Sequence, residues 1–433
     1  MTEFSKRRQI FANNMLENSI AIFPANEELT RSNDTEFRFR QHSDFYYLSG
    51  FNEPDACLLL IKHNNKLETI LFNRKKDKTA EIWHGYRLGQ EAAVLELGVD
   101  QAFAIDDFEI KLAELLIGIE HIYYPVLSEL KFDQRLQYVL QQLRQKSRSG
   151  LLTTNQFINW QPELHEMRLF KDKTEQSIMR KAGEISALGH VRAMQQCKPG
   201  MWEFQLQLEV EYEFARQGTR DVAYNSIVAG GHNACILHYT ENDKQLKDGD
   251  LVLIDAGAEY QGYAGDITRT FPINGRFSSE QAAIYQLVLD CQLLAIEQVK
   301  PGISMLEINK LVVMKMTKGL IDLGILCGDL DTLIDNNAYR DFYMHGLGHP
   351  LGLDVHDVGN VGTIDNPRAL QAGMAITIEP GIYISNDAEV EERWKGIGIR
   401  IEDDLIVTET GHEVLTSAVP KTIQDIEALM QHG

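Results

Sequence analysis

Two stretches of this chain carry the same framework of residues, each an apolar strand that runs into a carboxylate. The first reads Leu246-x-x-Gly249-x-x-x-x-Ile254-Asp255-x-Gly257 and the second Leu370-x-x-Gly373-x-x-x-x-Ile378-Glu379-x-Gly381. A unit present twice restricts the chain to folds with two related halves, and each half delivers one acid at a strand end. The flanking elements repeat as well. A helical stretch over 173–197 runs into Lys198-Pro199-Gly200 and a second helix over 202–217, and a helical stretch over 279–299 runs into Lys300-Pro301-Gly302 and a helix over 304–323. Pro and Gly after a helix are ordinary stop signals. The same order of elements twice predicts two αα-ββ halves built around one shared sheet.

Residues 1–165 read differently. Strands are expected at Ser19–Phe23, Ala56–Lys62 and Glu68–Asn73, helices at Gln90–Leu97 and Lys131–Lys146, and a polar join at Arg148–Pro162. The stretch contains no compact cluster of acids and histidines, which gives it a supporting role. The expected organisation is an α/β (α+β) chain, with an N-terminal α/β domain over 1–165 and the duplicated domain over 166–433.

At 433 residues the chain can bury a large core. Its formal charge of −21 argues against a nucleic-acid or anionic-membrane partner, which would want a basic face. Part of the acidic excess can be carboxylate that a bound metal would neutralise, and most of it is solvated surface. The five cysteines (Cys57, Cys197, Cys235, Cys291, Cys327) never stand in C-x-x-C spacing, against both a thiolate zinc site and a disulfide framework. The polar stretch Met1–Leu16 has no apolar core of a signal peptide, and no run approaches the roughly 18 apolar residues of a membrane span. A cytoplasmic protein is expected.

The chemistry concentrates in the duplicated part. Asp255 closes one apolar strand, Gly262 and Gly265 allow a turn, and Asp266–Phe271 reads as the return strand, so a hairpin can set Asp255 beside Asp266. A lone Asp at a strand end is usually a turn or cap residue. Two acids abutting strongly apolar strands are harder to explain that way, because an unpaired buried carboxylate is costly. Further on, period-two alternation through Ile399-Arg400-Ile401-Glu402 puts Arg400 and Glu402 on one strand face. Arg400 then reads as a cation that steadies a metal-bound carboxylate, or as a plain surface partner of Glu402. Thr377 and Glu379 share a face, and Pro380 ends the pairing just after Glu379. The segment His345-Gly-Leu-Gly-His349-Pro-Leu-Gly-Leu-Asp-Val-His356-Asp357 gathers three of the chain's 13 histidines. Any one of these alone would more often be structural, and His238 is the weakest read by itself. One histidine with four carboxylates makes a hard, oxygen-rich set that suits manganese, with cobalt, iron or zinc as substitutes. Two divalent ions in such a set point to hydrolysis of an amide or ester carbonyl.

The segment His345–Asp357 fits the proline-peptidase signature H-G-[LIVMT]-[SG]-H-x-[LIV]-G-x-x-x-H-[DE]. With Asp44–Pro54, Ala80–Trp83 and His165–Lys171, the chain resembles the bacterial aminopeptidase P family of pita-bread metallopeptidases, over nearly its whole length. That resemblance implies a catalytic domain of two pseudo-symmetric αα-ββ halves around a curved antiparallel sheet. It implies two metal ions held by Asp255, Asp266, His349, Glu379 and Glu402, with Asp266 and Glu402 bridging. A hydroxide between the ions would attack the bond before a penultimate proline, with Glu379 as general base and His356 stabilising the tetrahedral intermediate. His238 would line the proline pocket, and Arg400 and Tyr383 would act behind the ligands or at the substrate. Pro350 departs from relatives that carry an aromatic residue or glycine after the ligand histidine, and would reshape the pocket wall. A homotetramer or homodimer is implied, with the N-terminal domain mediating contacts and Trp83 either reaching a neighbour's site or serving as a core or interface aromatic. Prolidase, metal-free creatinase-type hydrolases and non-catalytic binding modules share the fold and are the alternatives.

Overall fold

The computed structural model describes residues 2–145, 154 and 156–431. Its contacts divide into two compact units, Met1–His165 and Glu166–Gly433. Residue 146 and most of the expected join, 148–153 and 155, lie outside the described residues. The rest of that join holds a short strand, Gln156–Ile158, and the first turn of a helix, Gln161–Leu169.

The first unit is built on a six-stranded mixed sheet. Its order is Gln101–Ala104, Lys66–Asn73, Cys57–His63, Ser19–Pro24, His121–Tyr123, Gln156–Ile158, and only the two contacts of Cys57–His63 are antiparallel. Strand Cys57–His63 is a run of apolar residues buried on both faces, as an interior strand requires. Ile20, Leu59, Ile70 and Ile122 pack with Phe108 and Leu112 and with Leu136 and Val139 from helix Leu130–Gln145. The expected strands and helices of this unit are present, with ends shifted by one or two residues.

In the second unit the repeat read from sequence has a physical counterpart. Gly200 N–H donates to Leu246 O at 2.8 Å, and Gly302 N–H donates to Leu370 O at 2.9 Å. Leu246 N–H and Leu370 N–H return to Met201 O and Ile303 O, each at 2.7 Å. Gly249 and Gly373 adopt φ of +88° and +92°, a backbone state that disfavours any side chain. Each half therefore ties its Lys-Pro-Gly turn to the entry of its acid-bearing strand with the same bonds. The long helices, Lys173–Gln196, Glu203–Arg216, Ser279–Gln298 and Met305–Asp322, pack on the strands.

The strands of this unit are antiparallel but interrupted. Ile227–Gly230, Leu251–Asp255 and Thr268–Pro272 form one piece. Ala375–Ile378 pairs with Asp403–Val407, and Gly381–Ile384 pairs with Ile397–Arg400. The alternation through 399–402 predicts one continuous strand, whereas the ladder is interrupted opposite Glu379–Pro380, where only Ile401 N–H still reaches across, to Pro380 O at 3.3 Å. Pro380 has no N–H for the ladder, and Glu379 N–H and Glu402 N–H turn instead to Leu347 O and Thr268 O. Glu379 and Glu402 occupy those two facing gaps.

A second departure concerns Asp255 and Asp266. They are not cross-strand partners: Asp255 registers with Thr268, and Asp266 precedes its strand. A small extra hairpin, Ala258–Tyr260 with Tyr263–Ala264, is inserted between them. The insertion closes on itself so tightly that a side chain at Gly257 would collide with Gly265 O.

Candidate metal centre

The gaps and strand ends of the second unit open on a cavity of about 540 Å³. Asp255, Asp266, His349, Glu379 and Glu402 all line it, together with His238, His356, His345, Arg400 and Tyr224. One donor atom each from Asp266, His349 and Glu402 lies within 4.8 Å of the other two. His349 Nε2 stands 3.5 Å from Asp266 Oδ2 and 3.5 Å from Glu379 Oε1. Asp255 is linked to Asp266 through the Tyr224 hydroxyl, 2.6 Å from Asp255 Oδ1 and 2.5 Å from Asp266 Oδ1.

The two copies hold one another's acids. Thr268 Oγ1–H donates to Glu402 Oε2 at 2.7 Å, and Glu402 N–H donates to Thr268 O at 3.0 Å. Asp266 N–H donates to Asp404 Oδ2 at 2.9 Å. Arg269 reaches Glu402 O and pairs at 2.7 Å with Asp403, both side chains fully buried. Arg400 grips Asp255 Oδ2 at 2.5 Å and Thr268 Oγ1 at 3.0 Å. Such outer bonds fix carboxylate directions before any ligand arrives.

Histidine chemistry is set by backbone carbonyls. His349 Nδ1–H donates to Pro350 O at 3.0 Å, which leaves the Nε2 lone pair pointing at the acids. Burial holds the His349 imidazole down at about 4, so it is neutral. His345 gives Nδ1–H to Gly346 O at 2.8 Å and takes the Tyr383 O–H at Nε2, also 2.8 Å. The His356 ring lies 4.3 Å from that of His349.

This donor set fits a divalent cation. A neutral imidazole lone pair 3.5 Å from two carboxylate oxygens presents acceptors to acceptors. Burial and then the neighbouring acids push Asp266 and Glu402 well above the usual carboxylate range. Glu379 is pushed up to about 7 by burial, opposed by Arg400 and aided by Asp255. Four acids with one arginine carry more negative charge than the site can solvate, and cations among them would relieve it.

Two further residues stand behind or beside the ligands. Tyr383 is only 2% exposed, with its hydroxyl bonded to Arg400 Nη1 at 3.0 Å and to His345, behind the ligands, which is one of the two positions expected for it. Pro350 lines an adjoining apolar cavity of about 460 Å³ with Leu306, Ile364 and Met374. Its part in the centre is its carbonyl.

The model of the metallopeptidase family M24 matches residues 177–409, and that of the aminopeptidase P N-terminal domain matches residues 4–123. The chain is 52% identical to the Xaa-Pro aminopeptidase of Escherichia coli (strain K12), over 99% of this chain and 97% of that one. The chain belongs to the aminopeptidase P group of metallopeptidase family M24. Human Xaa-Pro aminopeptidase 3 is 35% identical, over 92% of this chain and 78% of its own. Zinc-substituted Escherichia coli aminopeptidase P in complex with product superposes with a TM-score of 0.98 at 51% identity, covering 99% of this chain and 98% of that one. Proline aminopeptidase P II from Yersinia pestis gives 0.98 at 51% identity with both chains fully covered.

Membership of that group leaves several side chains that sequence reading passed over. Tyr224 sits in an irregular stretch before strand Ile227–Gly230, with no periodicity to mark it. Thr268 was detectable, since it alternates with Asp266 and Thr270 in a stretch whose sequence reads as a return strand. Asp403 and Asp404 follow Glu402 in an acidic run that usually marks solvent, yet both are buried.

Proposed function

We propose that this protein is an aminopeptidase that hydrolyses the amide bond between the first residue of a peptide and a proline in second place. The observation that carries this reading is the meeting of Asp266, His349 and Glu402 donor atoms within 4.8 Å, in a cavity also lined by His238 and His356. The name of the Escherichia coli relative supports it.

Asp255, Asp266, His349, Glu379 and Glu402 are the residues that would hold two divalent ions. Hard oxygen donors with one imidazole favour manganese. Bound there, such ions supply a water acidic enough to attack a carbonyl at neutral pH. The Glu379 carboxylate takes the proton of the attacking water and returns it to the leaving proline nitrogen. His356 donates to the oxygen on which negative charge grows. His238 faces the proline ring, and Arg400 keeps Asp255 from turning away.

A cytoplasmic location agrees with five cysteines that form no disulfide. No helix among the described residues is long and apolar enough to cross a membrane. Self-association into a homodimer or homotetramer is supported by helix Lys78–His84 and the turn after it, where Trp83 is 79% and Tyr86 95% exposed beside Ile82.

The test is metal analysis of the purified protein with a substrate-length series. Two equivalents of divalent metal and faster release of the first residue from Xaa-Pro-Yaa than from Xaa-Pro are expected. Preference for the dipeptide would assign a prolidase instead. A protein that binds no divalent metal and releases nothing would be a binding module.

A further inference from the structure

Glu203 opens the helix Glu203–Arg216 and is completely buried, at 0% exposure. Its two oxygens meet nothing but donors. Oε1 accepts from Gly230 N–H at 2.8 Å and from Asn233 Nδ2 at 2.9 Å. Oε2 accepts from the Tyr239 hydroxyl at 2.8 Å and from Lys244 N–H at 2.9 Å. Its own N–H donates to Lys244 O at 2.9 Å.

Those partners define one loop. Gly230 is where strand Ile227–Gly230 ends, and Lys244 is where the chain returns beside Glu203. Between them Leu237, His238 and Thr240 line the metal-centre cavity, while Tyr239 turns the other way into a small core with Ala229, Leu253 and Tyr383. One carboxylate thus fastens both ends of the loop and the residue next to His238.

We infer that Glu203 is a positioning residue which holds His238 at the substrate through the Gly230–Lys244 loop. The chemistry requires a carboxylate there. Glutamine would turn an NH₂ group towards two donors, one of them a backbone N–H that cannot reverse its role. The bonds are charge-assisted, and their loss leaves buried donors unmet. The inference rests on the peptidase reading given above, in which His238 contacts the substrate.

The test compares the metal-loaded wild type with Glu203→Gln, Tyr239→Phe, His238→Ala and the Glu203→Gln/His238→Ala double variant on an Xaa-Pro-Yaa tripeptide. Glu203→Gln is expected to lower kcat/KM about tenfold, mostly through KM, and Tyr239→Phe a few-fold. Metal content stays near wild type and the unfolding midpoint falls by only a few degrees, while hydrogen exchange at the Gly230 and Lys244 amides quickens. The double variant is no worse than His238→Ala alone, because both act through one group. Effects of Glu203→Gln and His238→Ala that multiply would overturn the inference. So would a wild-type KM in both Glu203→Gln and Tyr239→Phe, or loss of metal or fold in Glu203→Gln with Tyr239→Phe at wild-type KM. A wild type that cleaves no Xaa-Pro peptide sinks the peptidase reading itself, a distinguishable result.

Discussion

Lys171 Nζ and Asp357 Oδ2 lie 2.9 Å apart with both side chains only 1% exposed. Arg168 takes the other Asp357 oxygen at 2.5 Å, and Asp357 N–H closes the loop onto Pro350 O at 2.9 Å. Burial alone would raise this carboxyl, but Lys171 and Arg168 outweigh it and hold the group below its ordinary range. The anchored residue directly follows His356. Lys171→Met is expected to destabilise the fold by about 3 kcal/mol, since it breaks a buried pair on one side. Urea unfolding measures this, and a change below about 1 kcal/mol would mean that Arg168 suffices.

The Tyr224 hydroxyl has one proton and two carboxylate neighbours, Asp255 and Asp266. It orients both. Tyr224→Phe is expected to weaken divalent-metal binding about tenfold or more while the fold is kept. Titration of the metal-free protein with manganese, followed by calorimetry, reads the change directly.

Gly348 precedes His349 where a side chain has no room: a Cβ would stand 2.0 Å from Thr377 O. His349 N–H also bonds Thr377 Oγ1 at 3.1 Å. Gly348→Ala must therefore displace the His349 backbone, and a shift near 1 Å is expected to lower kcat about a hundredfold. Activity with unchanged circular dichroism would check it, and wild-type turnover would refute the close approach.

His190 gives Nε2–H to Ala256 O at 2.9 Å, and its Nδ1 is buried without a hydrogen-bond partner. Burial first, with Arg269 adding and the Ala256 bond opposing, pushes its pKa from 6.5 down to about 4. The unfolded chain then binds a proton that the folded chain refuses. Stability is unaffected above pH 6.5 and falls as the pH drops towards 4, by roughly 3 kcal/mol in all. His190→Gln keeps a donor for Ala256 and is expected to flatten that part of the pH–stability curve.

Ions held by the folded protein and not by the unfolded chain add to its stability. Removing them with a chelator should abolish peptide cleavage and lower the unfolding midpoint, and manganese should restore both in a concentration-dependent way. An unchanged midpoint would separate the acid cluster from metal binding.

The duplication was legible because each copy repeats a turn and a strand entry that depend on local bonds, those of Leu246 with Gly200 and of Leu370 with Gly302. The expected acids and histidines do stand around one cavity, since strand ends and glycine-rich segments announce themselves locally. What escaped was long-range. Nothing in the run Ile397–Val407 shows that pairing halts at Glu402, because the halt is dictated by Pro380 on the opposite strand. The Asp403–Arg269 pair, the Asp404 bond to Asp266 and the Glu203 loop clasp each join residues that periodicity treats as unrelated.

Thr268 and Glu402 clasp each other from opposite copies, by side chain and by main chain. The three donors that meet most closely, Asp266 from one copy with His349 and Glu402 from the other, come together only when the two halves of the chain have found each other. A half-built molecule therefore lacks that cluster, and an ion would find its full set of partners only after the halves have docked.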